Sequence, residues 1–126
     1  MIFRRGRFSE VIGRQLDLFE LDHGGATPAV LADTEAALAV RPDPAGYDIV
    51  AWALHRLGRD DEAAVESDLA RASGIIDARI LYHAGAIAIA RGDVAGGRAL
   101  VQRALDLGPA LDPLDRFAAE GLIAGS

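Results

Sequence analysis

Residues 55–64, HRLGRDDEAA, place one histidine, two arginines and three acidic residues around a single glycine, Gly58. Taken alone, the histidine beside the acids could form a metal site or an acid–base pair. The pattern returns in residues 87–97, IAIARGDVAGG, where Gly92 follows Gly58 by 34 positions. A glycine and then an acidic residue are typical of a turn between two helices, because glycine ends one helix and a carboxylate caps the next. We therefore interpret both stretches as turns, and the RGD tripeptide in the second as part of a turn rather than an integrin-recognition motif.

Small residues recur at the same interval along most of the chain. A fixed period of this kind is the sequence signature of a repeat architecture, in which each unit packs against its neighbours. The sequence therefore predicts repeated units of 34 residues. Four groups of positions share the phase: Gly24, Gly58 and Gly92; Ala36, Ala70 and Ala104; Ala51 and Gly85; and Asp43 and Asp77.

Each interval predicts two helices joined by a short turn. Asp43 can cap a helix that begins at Pro44, a position where proline is favoured. Gly58 follows the last residue of that helix, where a left-handed residue is favoured. No sustained two-residue alternation, the sign of a strand, is present. The other expected caps are Ser9, Thr27, Asp60, Asp77, Asp93 and Asp112.

The composition disfavours several functional classes. The net charge is −6, from 13 basic and 19 acidic residues, so a nucleic-acid partner, which needs a basic face, is not expected. The absence of cysteine excludes disulfides, thiolate zinc sites and thiol nucleophiles. No apolar run reaches the ~20 residues of a membrane span or forms a secretory signal, so we expect a cytoplasmic protein without a transmembrane segment.

No catalytic or cofactor-binding motif is present. The chain has no nucleophile elbow, phosphate loop or dinucleotide fingerprint, and its glycine pairs at 24–25 and 96–97 lack the lysine of a phosphate loop. His23, His55 and His83 have no metal-binding spacing such as H-E-x-x-H. We therefore expect no enzyme activity, no metal and no cofactor. An enzyme or metal binder that uses the histidines is a distant alternative.

The helix–turn–helix period resembles the tetratricopeptide repeat family over about residues 10–111. The chain departs from the family pattern at Ser67, where a large apolar residue is preferred, and at Ile75, which replaces a closing proline. In the first unit, Asp17 replaces a small residue and Gly13 a tryptophan. The residues that carry the resemblance are Ala51 and Gly85 where the two helices cross, Gly58 and Gly92 in the turn, Ala63 and Gly97 at the start of the second helix, Ala70 and Ala104 later in it, and Pro109 at the end of a unit.

The resemblance implies an all-α fold, a right-handed superhelical stack of about three helix pairs in a single domain, residues 1–126. The units would span about residues 10–43, 44–77 and 78–111, and a capping helix at residues 113–124 would shield the open end of the stack. The departures in the first unit predict a different crossing angle there, or a pair that does not stack as a true repeat.

The same resemblance implies an inner groove lined by the first helix of each unit. Aromatic residues and arginine are common binding anchors at interfaces. Ala86, Ile89 and Ala90 would form an apolar strip, which we expect to be covered by a partner segment, a second copy of the chain, or the protein's own N-terminal or C-terminal helix. In the alternative interpretation, Trp52 and Tyr82 pack between neighbouring helices. The candidate binding residues are Arg14, Leu18 and Leu21 in the first unit, Asp48, Trp52, His55 and Arg56 in the second, and Arg79, Tyr82, Ala86 and Ile89 in the third.

The function implied by the resemblance is that of a non-enzymatic protein–protein interaction module. Such an adaptor or accessory subunit would bind a peptide or partner protein of unknown identity in this groove. The alternative is a self-associating structural protein that forms a homodimer through its open repeat face. The basic N-terminal segment, residues 3–8 (FRRGRF), is either a small patch for an anionic surface or a frayed end of the first helix.

Overall fold

Seven α-helices make up the part of the chain that the structure, a computed structural model, describes: residues 7–23 and 25–125. No strand occurs in those residues, so the predicted all-α fold is confirmed. None of these helices is long and apolar enough to cross a membrane. The turn glycine Gly24 and residues 1–6, which hold most of the basic N-terminal segment, lie outside the described residues. The helices are α1 (Arg7–Asp22), α2 (Pro28–Val40), α3 (Pro44–Arg56), α4 (Asp60–Arg71), α5 (Ala78–Ala90), α6 (Val94–Asp106) and α7 (Pro113–Ala124).

The helices pack as consecutive pairs. α1 packs with α2, α3 with α4 and α5 with α6, and neighbouring pairs meet where α2 contacts α3 and α4 contacts α5. α7 packs against α6 and α5 at the end of the stack. The first helices of the pairs also contact one another, α1 with α3 and α3 with α5, so they lie side by side along the stack.

The predicted caps are confirmed at five helix starts. In each, a side-chain oxygen accepts a hydrogen bond of 2.8–3.2 Å from the backbone N–H three residues later. This bond satisfies one of the N–H groups that the start of a helix leaves unpaired. The capping residues are Thr27, Asp43, Asp77, Asp93 and Asp112.

The caps expected at Asp60 and Ser9 are wrong. α4 begins at Asp60 itself, and its N-cap is Arg59, whose side chain makes no capping bond. The Asp60 carboxylate instead lies 2.5 Å from Nδ1 of His55, so it joins the start of α4 to the end of α3. Ser9 lies inside α1, which begins at Arg7.

The turns contain glycines in the left-handed region. Gly58 and Gly92 have φ angles of +80° and +98°, as their place at helix ends predicts. Gly74 and Gly108, after the second helices of two pairs, have φ angles of +79° and +76°. A Cβ atom on any of the four would meet nothing within 4 Å, so the backbone conformation rather than space favours glycine.

The α5/α6 pair crosses with its backbones in close contact. A Cβ atom on Gly85 would lie 2.5 Å from Cγ2 of Val101 and 2.6 Å from the carbonyl oxygen of Gly97. In the α3/α4 pair the corresponding residues are Ala51 and Ala63, and both are fully buried. The small residues expected at the helix crossings are therefore confirmed in these two pairs.

The α1/α2 pair departs from this plan. Five residues, 23–27, separate α1 from α2, whereas three separate the helices of each later pair. α2 therefore starts two positions late in the 34-residue phase. As a result Ala36 is exposed, whereas Ala70 and Ala104 are buried. The prediction that these three alanines occupy equivalent positions in the repeat is therefore wrong for Ala36. A cleft of about 520 Å³ lies between α1 and α2.

Candidate functional site: a groove between α1, α5 and α7

A groove of about 460 Å³ lies between the C-terminal part of α1 and the start of α7. Phe19 on α1 and Leu114 on α7 are 60% and 48% exposed, so each wall presents a large apolar side chain. A recess with apolar walls and a few polar groups is the usual form of a ligand site. The lining residues are Leu18, Phe19, Asp22, His23, Arg79, Asp112, Pro113 and Leu114.

The wall contributed by α1 is ordered by helical spacing. Leu18 and Asp22 are four residues apart and lie on one side of the helix. Phe19 and His23 are also four residues apart and lie on the adjacent side. The rings of Phe19 and His23 stack with centroids 4.1 Å apart. Nδ1 of His23 also lies 2.8 Å from the carbonyl oxygen of Phe19, which fixes the imidazole on the helix end. The exposed phenylalanine is therefore held by a neighbouring ring.

An aromatic cluster adjoins this wall. Trp52 is buried, and its ring stacks on His83 at 3.8 Å and on His55 at 4.8 Å between centroids. The indole Nε1 donates a hydrogen bond of 3.1 Å to Oδ1 of Asp22. Tyr82 packs against the same indole, with centroids 5.5 Å apart. Because Trp52 on α3 contacts both α1 and α5, the cluster fixes the wall of the groove in place.

His83 and Asp48 form a buried pair between α5 and α3. Nδ1 of His83 lies 3.0 Å from both carboxylate oxygens of Asp48, and neither side chain is more than 3% exposed. Nε2 of His83 has no hydrogen-bond partner among the described residues. Because neither side chain reaches solvent, a ligand in the groove does not contact this pair, and its evident role is to join α3 to α5.

Two carboxylates, Asp22 and Asp112, line the groove, and a third, Asp115, is buried beside it. Asp115 on α7 is buried, and burial, followed by the charges of Asp22 and Asp112, raises the pKa of its carboxyl group above the usual range. The charges of His83 and then Arg79 oppose this shift, but Nε of Arg79 lies 3.8 Å from Asp115, beyond hydrogen-bond distance. Burial, followed by the charges of Asp115 and Asp22, also raises the pKa of the Tyr82 hydroxyl. Among the lining residues the carboxylates Asp22 and Asp112 outnumber the single arginine, Arg79, so the groove carries an excess of negative charge.

The structure places the predicted groove residues in different surroundings. Leu18 and Arg79 line the groove. Arg14 is buried and binds Asp43 at the start of α3, at 2.8 Å, while Arg56 is exposed. The remaining buried residues belong to the core. Trp52 and Tyr82 are among them, so their positions agree with the alternative interpretation, in which they pack between neighbouring helices. These residues are Leu21, Asp48, Trp52, Tyr82 and Ala86.

The structure does not place Ala86, Ile89 and Ala90 together in one open apolar strip. A Cβ atom on Gly97 would lie 2.6 Å from Cγ1 of Ile89, so Ile89 packs against α6 rather than facing an open groove. Ala86 is buried, and Ala90 is exposed at the end of α5. The physical reason is Gly97 on α6, which lets that helix approach closely enough to bury part of Ile89.

The stretch that suggested a metal site has a structural role. His55 binds Asp60 and stacks on Trp52. Asp61 binds Nε of Arg91 in the next turn at 3.0 Å, which joins successive turns of the stack. Within the part of the chain that the structure describes, no three histidine, aspartate or glutamate side chains come together as a metal site.

Several groove residues were missed by the sequence prediction. Phe19 did carry a signal, because it lies outside the apolar stripe of Leu18 and Leu21 and so is an exposed aromatic residue on an amphipathic helix. No local signal places α7 opposite α1, since that arrangement depends on the curvature of the whole stack. The missed residues are Phe19, Asp22, His23, Asp112, Pro113 and Leu114.

A solved structure of similar fold provides a comparison. The chain is similar to the type III secretion chaperone SycD of Yersinia enterocolitica, solved in complex with a peptide of the translocator YopD. The TM-score is 0.69 at 12% sequence identity, with 95% of this chain and 93% of that chain covered. The likeness confirms the fold as an all-α stack of tetratricopeptide-like helix pairs. The sequence matches no protein-family model and no curated protein.

Proposed function

We propose that this protein is a non-enzymatic interaction module that binds a segment of a partner protein in the groove between α1, α5 and α7. The observation that carries the proposal is the groove itself, about 460 Å³ in volume, with Phe19 and Leu114 exposed on its two walls. Exposed aromatic and aliphatic side chains around a recess are typical anchors for a peptide. In this role the protein acts as an adaptor or accessory subunit.

The rigidity of the α1 wall supports the proposal. Trp52 binds Asp22 at 3.1 Å near one end of α1, and Arg14 binds Asp43 at 2.8 Å nearer the other. A groove that is already formed costs less conformational entropy on binding than one that must be ordered by its ligand. The fold adds support, because the similar chaperone SycD was solved with a peptide bound.

A library of random dodecapeptides displayed on phage tests the proposal. Peptides selected on the wild-type protein are labelled, and their dissociation constants are measured by fluorescence anisotropy. Phe19→Ser and Leu114→Ser should each weaken binding about tenfold or more, because an interface anchor contributes over about 1.4 kcal/mol. Both side chains are exposed, so the melting temperatures should stay close to that of the wild type.

Val65→Ser is the matched control. Val65 is as exposed as Phe19, at 60%, but lies on α4 and does not line the groove. This variant should bind the selected peptides as the wild type does. Equal binding by all three variants would place the peptide site on another surface, and a library that yields no binder would contradict the proposed function.

Self-association is a second candidate function, favoured by the cleft between α1 and α2. Leu16 and Val40 line this cleft, and both are more than half exposed. Exposed apolar residues around a recess often mark a contact between proteins. Sedimentation velocity should then show twice the 13.2 kDa mass for the wild type and a monomer for Leu16→Ser. A wild-type monomer at every concentration would contradict the homodimer.

A further inference from the structure

We propose that the groove selects its peptide by a basic side chain, arginine or lysine, held between the carboxylates of Asp22 and Asp112. A large apolar residue next to the basic one contacts Phe19 and Leu114. This inference rests on the proposed function and specifies the chemistry of the bound segment. The occupant is thus a peptide segment with adjacent basic and apolar residues, rather than an acidic or wholly apolar one.

The two carboxylates each have an oxygen available for a ligand. Oδ1 of Asp22 accepts the hydrogen bond of Trp52, and Oδ1 of Asp112 accepts the backbone N–H of Asp115. The second oxygen of each has no hydrogen-bond partner among the described residues. One carboxylate lies at the end of α1 and the other at the start of α7. A guanidinium or ammonium group between them would therefore bridge the two walls with charge-assisted hydrogen bonds.

Asp115 shows that the negative charge at the groove is incompletely paired. Its side chain is 4% exposed, yet its ion-pair partner among the described residues, Arg79, lies 3.8 Å away. A buried carboxylate without a close partner is unfavourable. Burial, followed by the neighbouring Asp22 and Asp112, accordingly raises the pKa of this group. A second cation in the groove would offset these charges, so the site favours a positively charged occupant.

The other charged groups around the groove do not reverse this preference. Arg79 is the one arginine among the lining residues, against Asp22 and Asp112 in the lining and Asp115 beside it. His23 is engaged with the backbone and ring of Phe19. An anionic partner such as a nucleic acid or an acidic peptide would meet like charge.

The geometry also favours an organic cation over a metal ion. Calcium takes about six to eight oxygen ligands at short distance. No cluster of three carboxylate or imidazole groups suited to a metal occurs in residues 7–23 and 25–125. The apolar walls beside the carboxylates fit the methylene stem of arginine or lysine, which packs on apolar surface while its head remains polar.

The random dodecapeptide library tests the charge preference without any change to the protein. Peptides selected on the wild type should be enriched in arginine or lysine next to a large apolar residue. One selected peptide is then made with the arginine replaced by citrulline, or the lysine by norleucine. The neutral peptide should bind about tenfold more weakly or worse. Raising the NaCl concentration from about 0.05 M to about 0.5 M should weaken the binding of the basic peptide much more than that of the neutral one.

Two isosteric variants test the assigned carboxylates. Asp22→Asn and Asp112→Asn each keep an oxygen that can accept the bond from Trp52 or cap α7, but they lose the charge. Each variant should bind the basic peptide about tenfold more weakly than the wild type does and bind its neutral analogue with nearly unchanged affinity. Asp93→Asn, which alters the cap of α6 outside the groove, is the control and should bind both peptides like the wild type.

The outcomes separate this inference from the proposed function. The inference would be overturned if the selected peptides lacked basic residues or if the basic and neutral analogues bound equally well. The proposed function would still be supported in that case, provided that binding depends on Phe19. A library without binders, or binding that ignores Phe19→Ser and Leu114→Ser, would overturn both. If an asparagine variant fails to fold, the analogue and salt comparisons on the wild type decide the question alone.

Discussion

The α5/α6 and α1/α2 pairs share a helix–turn–helix plan but differ at the crossing. Between α5 and α6, Gly85 meets Gly97 with no room for a methyl group on either residue. The corresponding residues of the first pair are Asp17, two periods before Gly85, and Leu31, the fourth residue of α2 as Gly97 is of α6. Both side chains are larger than glycine, and a cleft of about 520 Å³ lies between these two helices. The later pair thus crosses at two glycines, whereas the first pair has larger residues at these positions and an open cleft between its helices.

The first pair is fixed to the rest of the stack by a polar contact. Nη1 of Arg14 lies 2.8 Å from Oδ1 of Asp43, the N-cap of α3. Nη2 of the same side chain donates a hydrogen bond of 2.8 Å to the carbonyl oxygen of Arg41. A buried guanidinium thus joins α1 to the start of α3, in addition to the hydrogen bond from Trp52 to Asp22 and the apolar core that the two helices share.

The largest expected effect comes from replacing a glycine at the α5/α6 crossing with a larger residue. Gly85→Leu should destabilise the fold by about 3 kcal/mol, at the upper end of overpacking costs. The reason is that even a Cβ atom would lie 2.6 Å from a backbone oxygen, which cannot move without shifting α6. Helix propensity alone would predict a gain, since glycine is a poor helix former. Urea denaturation of the variant and the wild type measures the difference.

A leucine in the first pair provides the control for Gly85→Leu. Ala36→Leu adds the same side chain at an exposed position that lines the α1/α2 cleft. It should change stability by no more than about 0.5 kcal/mol. Similar urea midpoints for the two variants would mean that the two pairs do not differ at their crossings.

The polar contact of the first pair predicts the next largest effect. Asp43→Asn keeps an oxygen that can cap Gly46 but leaves the buried Arg14 without its ion-pair partner, so the fold should lose about 1–3 kcal/mol at pH 7. Asp77→Asn is the matched control and should cost less, because Asp77 caps α5 but forms no ion pair among the described residues.

The pH dependence tests whether the charge of Asp43 is responsible. Burial tends to raise the pKa of this carboxyl group, but the Gly46 N–H and the Arg14 guanidinium together lower it below the usual value. A carboxyl group with a lowered pKa stabilises the fold above its unfolded pKa, and this contribution is lost as the pH falls through the folded pKa. The difference between wild type and Asp43→Asn should therefore shrink below about pH 4. If the stability difference does not change with pH, it arises from packing rather than from the charge of Asp43.

The sequence predicted the features that depend on local chemistry. Aspartate caps, left-handed turn glycines and the small residue at Gly85 each follow from a few neighbouring residues and the 34-residue period. The position of Phe19 opposite Leu114 does not, because it depends on the summed rotation of all the pairs between them. Asp60 was mistaken for a cap because the sequence does not show that His55 competes for its carboxylate.

A smaller effect compares two glycines that both have open space around them. A Cβ atom on Gly92 or Gly121 would meet nothing within 4 Å, but only Gly92 has a positive φ angle. Gly92→Ala should destabilise the fold by about 1 kcal/mol, because alanine is strained in the left-handed region. Gly121→Ala lies within α7 and should instead stabilise the fold by about 0.5–1 kcal/mol. Thermal unfolding should show shifts of opposite sign, and equal shifts would contradict the assigned turn conformation.

The smallest effect concerns the α3/α4 pair, which lies between the two extremes. Ala51 and Ala63 allow a close crossing, but Ser67 occupies the position that Val101 fills on α6. The Ser67 hydroxyl is buried without a hydrogen-bond partner among the described residues. Such a group lowers stability, so Ser67→Ala should stabilise the fold by about 0.5 kcal/mol after the loss of its small packing contribution. Ser73→Ala, in the exposed turn after α4, should change the urea midpoint by less. A destabilised Ser67→Ala would mean that the hydroxyl donates to a carbonyl of its own helix, so that serine contributes to the packing of α4 instead of weakening it.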